Sequence, residues 1–275
     1  MRGCADDSSA FVWGRCTHLA APTTAVKVFT ATWLLMRGGA HIARGWWTIR
    51  TRFPQLTQAE REAEVQRWAA GFLRVWRIDL QVHGAPPKDG PLMLVANHIS
   101  WLDILVLHAA GFCRFVAKSD IKGWPVIGHM ATQAGTLYIE RESRRDALRV
   151  VHHMRDALLR GEVVGVFPEG TTSDGQSLLP FHANLIQAAV SAAAPVLPVA
   201  LEFVDARTGR ISMAPIYIGD QTLAGSVWRT LTTPGIRAVV TYGAPQLPVG
   251  RERREWAAAL KTSVAALRQH TAAPE

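Results

Sequence analysis

The sequence predicts an α/β fold: a mixed, mostly parallel sheet flanked by helices, preceded by an N-terminal helical segment. Three observations carry this. The 275-residue length suits one α/β domain with an extension. From Pro91 onward, short β-type runs alternate with helical patterns. The first 80 residues have a composition of their own, which sets a boundary between a helical region, 1–80, and an α/β domain, 81–275.

In the N-terminal region no acidic residue falls between Asp7 and Glu60, while Arg15, Lys27, Arg37, Arg44, Arg50 and Arg52 stand among apolar runs and tryptophans. Six of the ten tryptophans lie at or before Trp76. Indole rings favour the headgroup level of a bilayer, where an apolar body and a polar N–H are both accommodated. The run VFTATWLLM, bounded by Lys27 and Arg37, is well short of the ~20 residues that cross a bilayer, so a lying or re-entrant helix is expected. A second helix over EVQRWAAGFLRVWRIDL spaces Val65, Trp68, Phe72, Val75 and Trp76 along one stripe, which suits either a headgroup layer or the protein. The start carries acids where a secretory signal has a basic region, and no cleaved leader is expected.

In the second region LMLVA, CRFVAK, GTLYIE, VVGVF, PVLPVALEF, MAPIYI and IRAVVTYG are the predicted strands. Helices are expected to begin near Ser100, Trp124, Ser143, Ala183 and Arg251. Residues 175–201 contain no charged side chain, but Pro180, Pro195 and Pro198, with His182, Asn184 and Gln187, predict a buried helix and strand rather than a membrane span.

Thirty basic against twenty-two acidic residues give a net charge of +8, which favours an anionic partner. The basic residues are interleaved with apolar runs and form no nucleic-acid motif, so nucleic acid is not the expected partner. Cys4, Cys16 and Cys113 are too few and too scattered for a disulfide framework or a zinc site. No metal or cofactor is expected.

VANHISWLDIL places His98 and Asp103 five positions apart after an apolar run. Ser100 and Asp103 form the S-x-x-D pattern of a helix cap, which turns the carboxylate back toward His98. A carboxylate beside one imidazole nitrogen fixes the tautomer and leaves the other nitrogen to take a proton. On its own, H-x4-D favours the cap over a catalytic pair, because two common residues at a fixed spacing match often by chance. Two further polar stretches leave strands at their ends, GTLYIER and FPEGTTS, and a third, LPVAL, begins one; open α/β sheets assemble their sites at strand ends.

These four ordered blocks resemble the glycerolipid acyltransferases typified by 1-acyl-sn-glycerol-3-phosphate (lysophosphatidic acid) acyltransferase. The first block is matched by Asn97, His98, Ser100 and Asp103, and the second ends at Arg141. Phe167, Pro168, Glu169, Gly170, Thr171 and Ser173 match the third, and Pro198 the fourth. Glu140 stands where the family more often has an uncharged or basic residue. The resemblance covers about residues 80 to 245 and implies transfer of a fatty acyl group from a thioester to the sn-2 hydroxyl of lysophosphatidate.

On that basis His98 is the expected general base and Asp103 its orienting acid, while Ser100 is the cap. Arg141 is assigned to the acceptor phosphate through a bidentate pair, with Lys118 as a second contact. Glu169, Gly170, Thr171 and Ser173 are placed at the substrate, Glu169 acting indirectly by ordering its neighbours. Pro198 shapes the start of a strand. Backbone N–H groups at the Ser100 helix start or around Gly170 are the candidate oxyanion donors. No G-x-S-x-G elbow is present, which favours direct attack by the acceptor over an acyl-enzyme. His152 and His153 are expected to carry no chemistry.

The implied partners are membrane lipids with a lysophospholipid acceptor, and acyl carrier protein or a coenzyme A thioester as donor. The implied location is a membrane surface with the catalytic domain on its cytoplasmic face. A lyso-ornithine lipid is the alternative acceptor. A hydrolase using the same histidine and a non-catalytic basic membrane module are the readings from other classes.

Overall fold

A computed structural model of the protein describes residues 24–86, 89–139 and 144–270. Glu140, Arg141, Cys4 and Cys16 lie outside the described residues.

Seven strands form one sheet: β1 (Asp79–His83), β2 (Leu92–Ala96), β3 (Arg114–Lys118), β4 (Leu137–Ile139), β5 (Val163–Val166), β6 (Val196–Asp205) and β7 (Ile236–Tyr242), in the order β1-β7-β6-β2-β5-β3-β4. Every neighbouring pair is parallel except β6 with β7. The mixed, mostly parallel α/β sheet read from the sequence is therefore the observed one. β2 is buried on both faces, which is why LMLVA is an unbroken apolar run.

Alternate residues of β2 enter two different cores. Leu92, Leu94 and Ala96 face a cluster with α1 (Thr24–Thr51), α2 (Gln58–Val75), α3 (Asp103–Ala110) and Leu231 of α7 (Leu223–Thr232). Met93 and Val95 face α5 (Arg144–Leu159), α6 (Ala183–Ser191) and α8 (Arg253–His270) on the other side. A short helix, α4 (Ile127–Gln133), links β3 to β4.

α1 is longer than the apolar run that predicted it, extending 28 residues through Trp46 and Trp47. No helix among the described residues is long and apolar enough to cross a membrane. One face of α1, with Ala31, Leu34, Gly38, Gly45 and Ile49, is buried on the protein. α2 starts at a full capping box between Thr57 and Glu60 and ends before Trp76. Its aromatic stripe packs inward: Phe72 and Trp76 are buried in the first core, and Trp68 is packed against it.

Four local expectations change. MAPIYI is irregular chain rather than a strand, because its backbone groups bond to the His98 loop instead of a neighbouring strand. Asp79 and Leu80, read as the tail of a helix, open the edge strand β1; Arg77, with φ 58°, breaks the chain direction just before it. α7 was not predicted, and its Gly225, Ser226 and threonines explain why: the composition is poor for a helix, and the Thr222 cap with burial of Ser226, Thr230 and Leu231 sets it. Pro198 lies within β6, beside Val95 of β2, rather than at the start of the strand.

Candidate active site

Because β2, β5, β3 and β6 run parallel, their C-terminal ends share one edge of the sheet. β2 delivers Asn97-His98-Ile99 there, and β5, paired with it at Val95 and Val166, delivers Phe167-Pro168-Glu169. The two sequence blocks are thus neighbours because their strands are.

His98 Nδ1 lies 2.8 Å from Asp103 Oδ2. Asp103 is fully buried, whereas the His98 side chain keeps 20% exposure. An ionised carboxylate only accepts, so Nδ1 carries the hydrogen and Nε2 is left with its lone pair. The imidazole lies flat on Phe167, centroids 4.1 Å apart, and Phe167 in turn stacks on Phe115. Tautomer and ring plane are therefore both set.

The backbone under the ring is fixed from three chain segments. His98 N–H donates to Glu169 Oε1 at 2.8 Å, and His98 C=O accepts from Ser173 N at 2.8 Å and Ser173 Oγ at 3.2 Å. Asn97 bridges β2 to β6, donating to Leu201 C=O and accepting from Leu201 N–H. Ser100 Oγ donates to Pro215 C=O, and Tyr217 N–H donates to Ile99 C=O. Asp103 Oδ2 also accepts the N–H groups of Ile99 and Ser100, at 2.7 and 2.9 Å.

The cap is only half the predicted one. The Asp103 carboxylate reaches back to Ser100 N–H, but Ser100 Oγ accepts from Leu102 N–H, and Asp103 N–H bonds to Ser100 C=O. Several of the proposed oxyanion donors already have partners. Ile99, Ser100 and Leu102 N–H are engaged within the loop, and Gly170 N–H donates to Phe167 C=O.

Glu169 is buried, and its second oxygen accepts Leu179 N–H at 2.8 Å. Burial pushes its pKa up, opposed by the N–H groups of His98 and Leu179. With one backbone N–H on each oxygen, Glu169, together with the buried Ser173, ties down the His98 loop. Gly170 adopts φ 71°, a conformation that favours glycine, and a Cβ there would lie 3.0 Å from His182 Cδ2, tighter than ordinary contact. Thr171 is exposed on this turn, and Lys118 is exposed at the end of β3 on the same sheet edge. Neither takes part in the network around His98 just described.

Sequence reasoning named Asn97, Phe167 and Ser100 only as matched letters or a cap; their contacts require the tertiary fold. The 215–217 segment had no site signal at all. Among the described residues no group of three or more His, Cys, Asp or Glu side chains is placed to hold a metal ion.

Residues 79–202 match the model of the Acyltransferase family. The 1-acyl-sn-glycerol-3-phosphate acyltransferase of Neisseria gonorrhoeae is 43% identical over 174 residues, 62% of this chain and 67% of that protein. The lyso-ornithine lipid O-acyltransferase of Pseudomonas aeruginosa is 32% identical over 230 residues, 83% of this chain and 88% of that protein. Among solved structures, the 1-acyl-sn-glycerophosphate acyltransferase PlsC of Thermotoga maritima superposes with TM-score 0.70 over 91% of this chain and 98% of its own, at 20% identity. That likeness bears on the fold.

Proposed function

Because the chain belongs to the 1-acyl-sn-glycerol-3-phosphate acyltransferase family, we propose that it moves a fatty acyl group from an acyl thioester to the sn-2 hydroxyl of 1-acyl-sn-glycerol-3-phosphate. The observation that carries the reading is the oriented imidazole: His98 Nδ1 is held by buried Asp103, leaving Nε2 as an acceptor.

An alcohol is a weak nucleophile at neutral pH, so its proton must leave as the carbon–oxygen bond forms. His98 Nε2 takes that proton, and Asp103 stabilises the resulting imidazolium. The alkoxide oxygen attacks the thioester carbonyl, the tetrahedral intermediate collapses, and the thiolate leaves with the proton returned by His98. Coenzyme A and acyl carrier protein thioesters are both compatible donors, and neither requires a cofactor. Arg141, from the family motif, and Lys118 are the proposed phosphate contacts.

The working position is the membrane surface. On α1 the outward residues Phe29, Trp33, Met36 and Trp47 are exposed, Phe29 at 75% and Trp47 at 63%, and they recur at helical spacing opposite the buried face. Arg37, Arg44 and Arg50 are exposed on the same helix. Such a helix lies in the interface, attracted by anionic headgroups.

A second acceptor has specific support. The lyso-ornithine lipid enzyme aligns over more of this chain than the phosphate-acceptor relative does, 83% against 62%. The test is transfer by purified protein to lysophosphatidate and to lyso-ornithine lipid, with acyl-CoA and acyl carrier protein donors in parallel. Diacyl product from lysophosphatidate supports the first reading, product from lyso-ornithine lipid alone supports the second, and free fatty acid without acceptor dependence contradicts both.

A further inference from the structure

We propose that Arg268, in the C-terminal helix and outside all four sequence blocks, is a positioning residue for His98. Its side chain comes from α8 yet reaches the far side of the active-site loop, and it is only 11% exposed. The guanidinium makes two contacts on separate segments. Nη2 donates to the carbonyl of Gly175, and Nε lies 3.9 Å from Glu202 Oε1 on β6.

Both segments end at His98. Gly175 follows Ser173, which bonds the His98 carbonyl twice. It is buried against Ile99 and Ile216, and its φ of 73° is a conformation that favours glycine. Glu202 follows Leu201, whose backbone bonds both ends of the Asn97 amide. One side chain therefore fastens together the two supports that hold Asn97 and His98 from opposite sides. The charged groups facing it are Glu202 and Asp174, the latter held below the usual carboxylate range by the N–H groups of Gln176 and Ser177, with the charge of Arg268 adding to it.

A planar fork suits this task. It can donate to a carbonyl on one side and face a carboxylate on another, which a lysine ammonium reaches only in part. The consequence is catalytic because a displacement of about 1 Å in a reacting group can cost on the order of a hundredfold in rate.

The proposal rests on His98 being the base, and its test separates the two claims. Amide hydrogen exchange is followed in wild type, Arg268→Ala and Arg268→Lys over residues 97–104 and 167–180, with β2 and α5 as references. Acyl transfer is measured on the same samples. Arg268→Ala is expected to speed exchange at Ser173, Leu179 and His98 while β2 and α5 stay unchanged. Its kcat is expected to fall about tenfold to a hundredfold with acceptor KM within about twofold, and Arg268→Lys to recover part of the loss.

Unchanged exchange in the two segments overturns the proposal. So does an increase spread evenly over β2 and α5, or local loosening with kcat unchanged. If Arg268→Ala yields no folded protein, Arg268→Lys is judged by the same criteria. Local loosening in a protein whose wild type transfers to no acceptor would sink the reaction assignment and leave the positioning intact.

Discussion

Asp103 Oδ2 accepts three hydrogen bonds, from His98 Nδ1, Ile99 N–H and Ser100 N–H, while Asp103 Oδ1 is buried without a partner among the described residues. The asymmetry separates two roles of the carboxylate. The shape of the loop depends on one oxygen, whereas stabilising a protonated His98 depends on the charge.

Asparagine at this position can keep its oxygen where Oδ2 lies and place its amide nitrogen at the Oδ1 position. Asp103→Asn is therefore expected to fold, with a cost of about 1–3 kcal/mol for a buried donor lacking an acceptor. Its kcat is expected to drop roughly 10³- to 10⁴-fold, with acceptor KM little changed. Steady-state transfer kinetics and a thermal melt check both; kcat within tenfold of wild type would remove Asp103 from the mechanism.

Glu169 receives two backbone N–H groups, one on each oxygen. Glu169→Gln must turn an NH2 donor toward one of them, so the substitution is not conservative here. The expected outcome is a lower melting temperature and a kcat reduced by about tenfold or more, with acceptor KM nearly constant. A selective rise in acceptor KM would instead place the carboxylate at the substrate.

His108 of α3 is buried between Phe112 and Phe115, its Nδ1 has no partner among the described residues, and desolvation lowers its pKa to about 4. The unfolded chain, with a pKa of about 6.5, binds more protons in between. This group's contribution is therefore fully present above about pH 6.5 and is lost as pH falls toward 4, by up to about 3 kcal/mol. In urea melts His108→Leu is expected to flatten the pH dependence across that window. An unchanged slope would show that His108 is solvated.

The exposed aromatic stripe of α1 predicts a binding phenotype apart from folding. Trp33→Glu with Trp47→Glu is expected to leave the melting temperature nearly unchanged and to weaken sedimentation with anionic vesicles by tenfold or more, because both indoles face outward. Equal binding by the double variant would move the contact elsewhere.

Much of the site was legible because its chemistry fixes residue types at fixed spacing. His98, Asp103 and Glu169 stand in short blocks at strand ends, and β2 and β5 announce themselves as apolar runs buried on both faces. Roles that depend on distant partners were not legible. Glu169 was expected to act indirectly by ordering its neighbours, but nothing in FPEGTTS reveals that its carboxylate bonds the backbone of residue 98, 71 positions earlier. MAPIYI is a short apolar run like a strand, yet Pro215 and Tyr217 serve the Ile99–Ser100 turn. Arg268 belongs to no sequence block; it follows Leu260 and Val264 along the buried stripe of α8, and only the packing of α8 on β6 brings it to Gly175. Arg141, the strongest motif candidate for phosphate, lies outside the described residues.

In the proposed reaction His98 is the base that activates the acceptor hydroxyl. The direct measurement is kcat for acyl transfer to lysophosphatidate and lyso-ornithine lipid by wild type and His98→Ala, each matched by circular dichroism and vesicle binding. The expected result is a fold and a membrane affinity like wild type with kcat lowered at least about a hundredfold. Turnover by His98→Ala within a few-fold of wild type would contradict it.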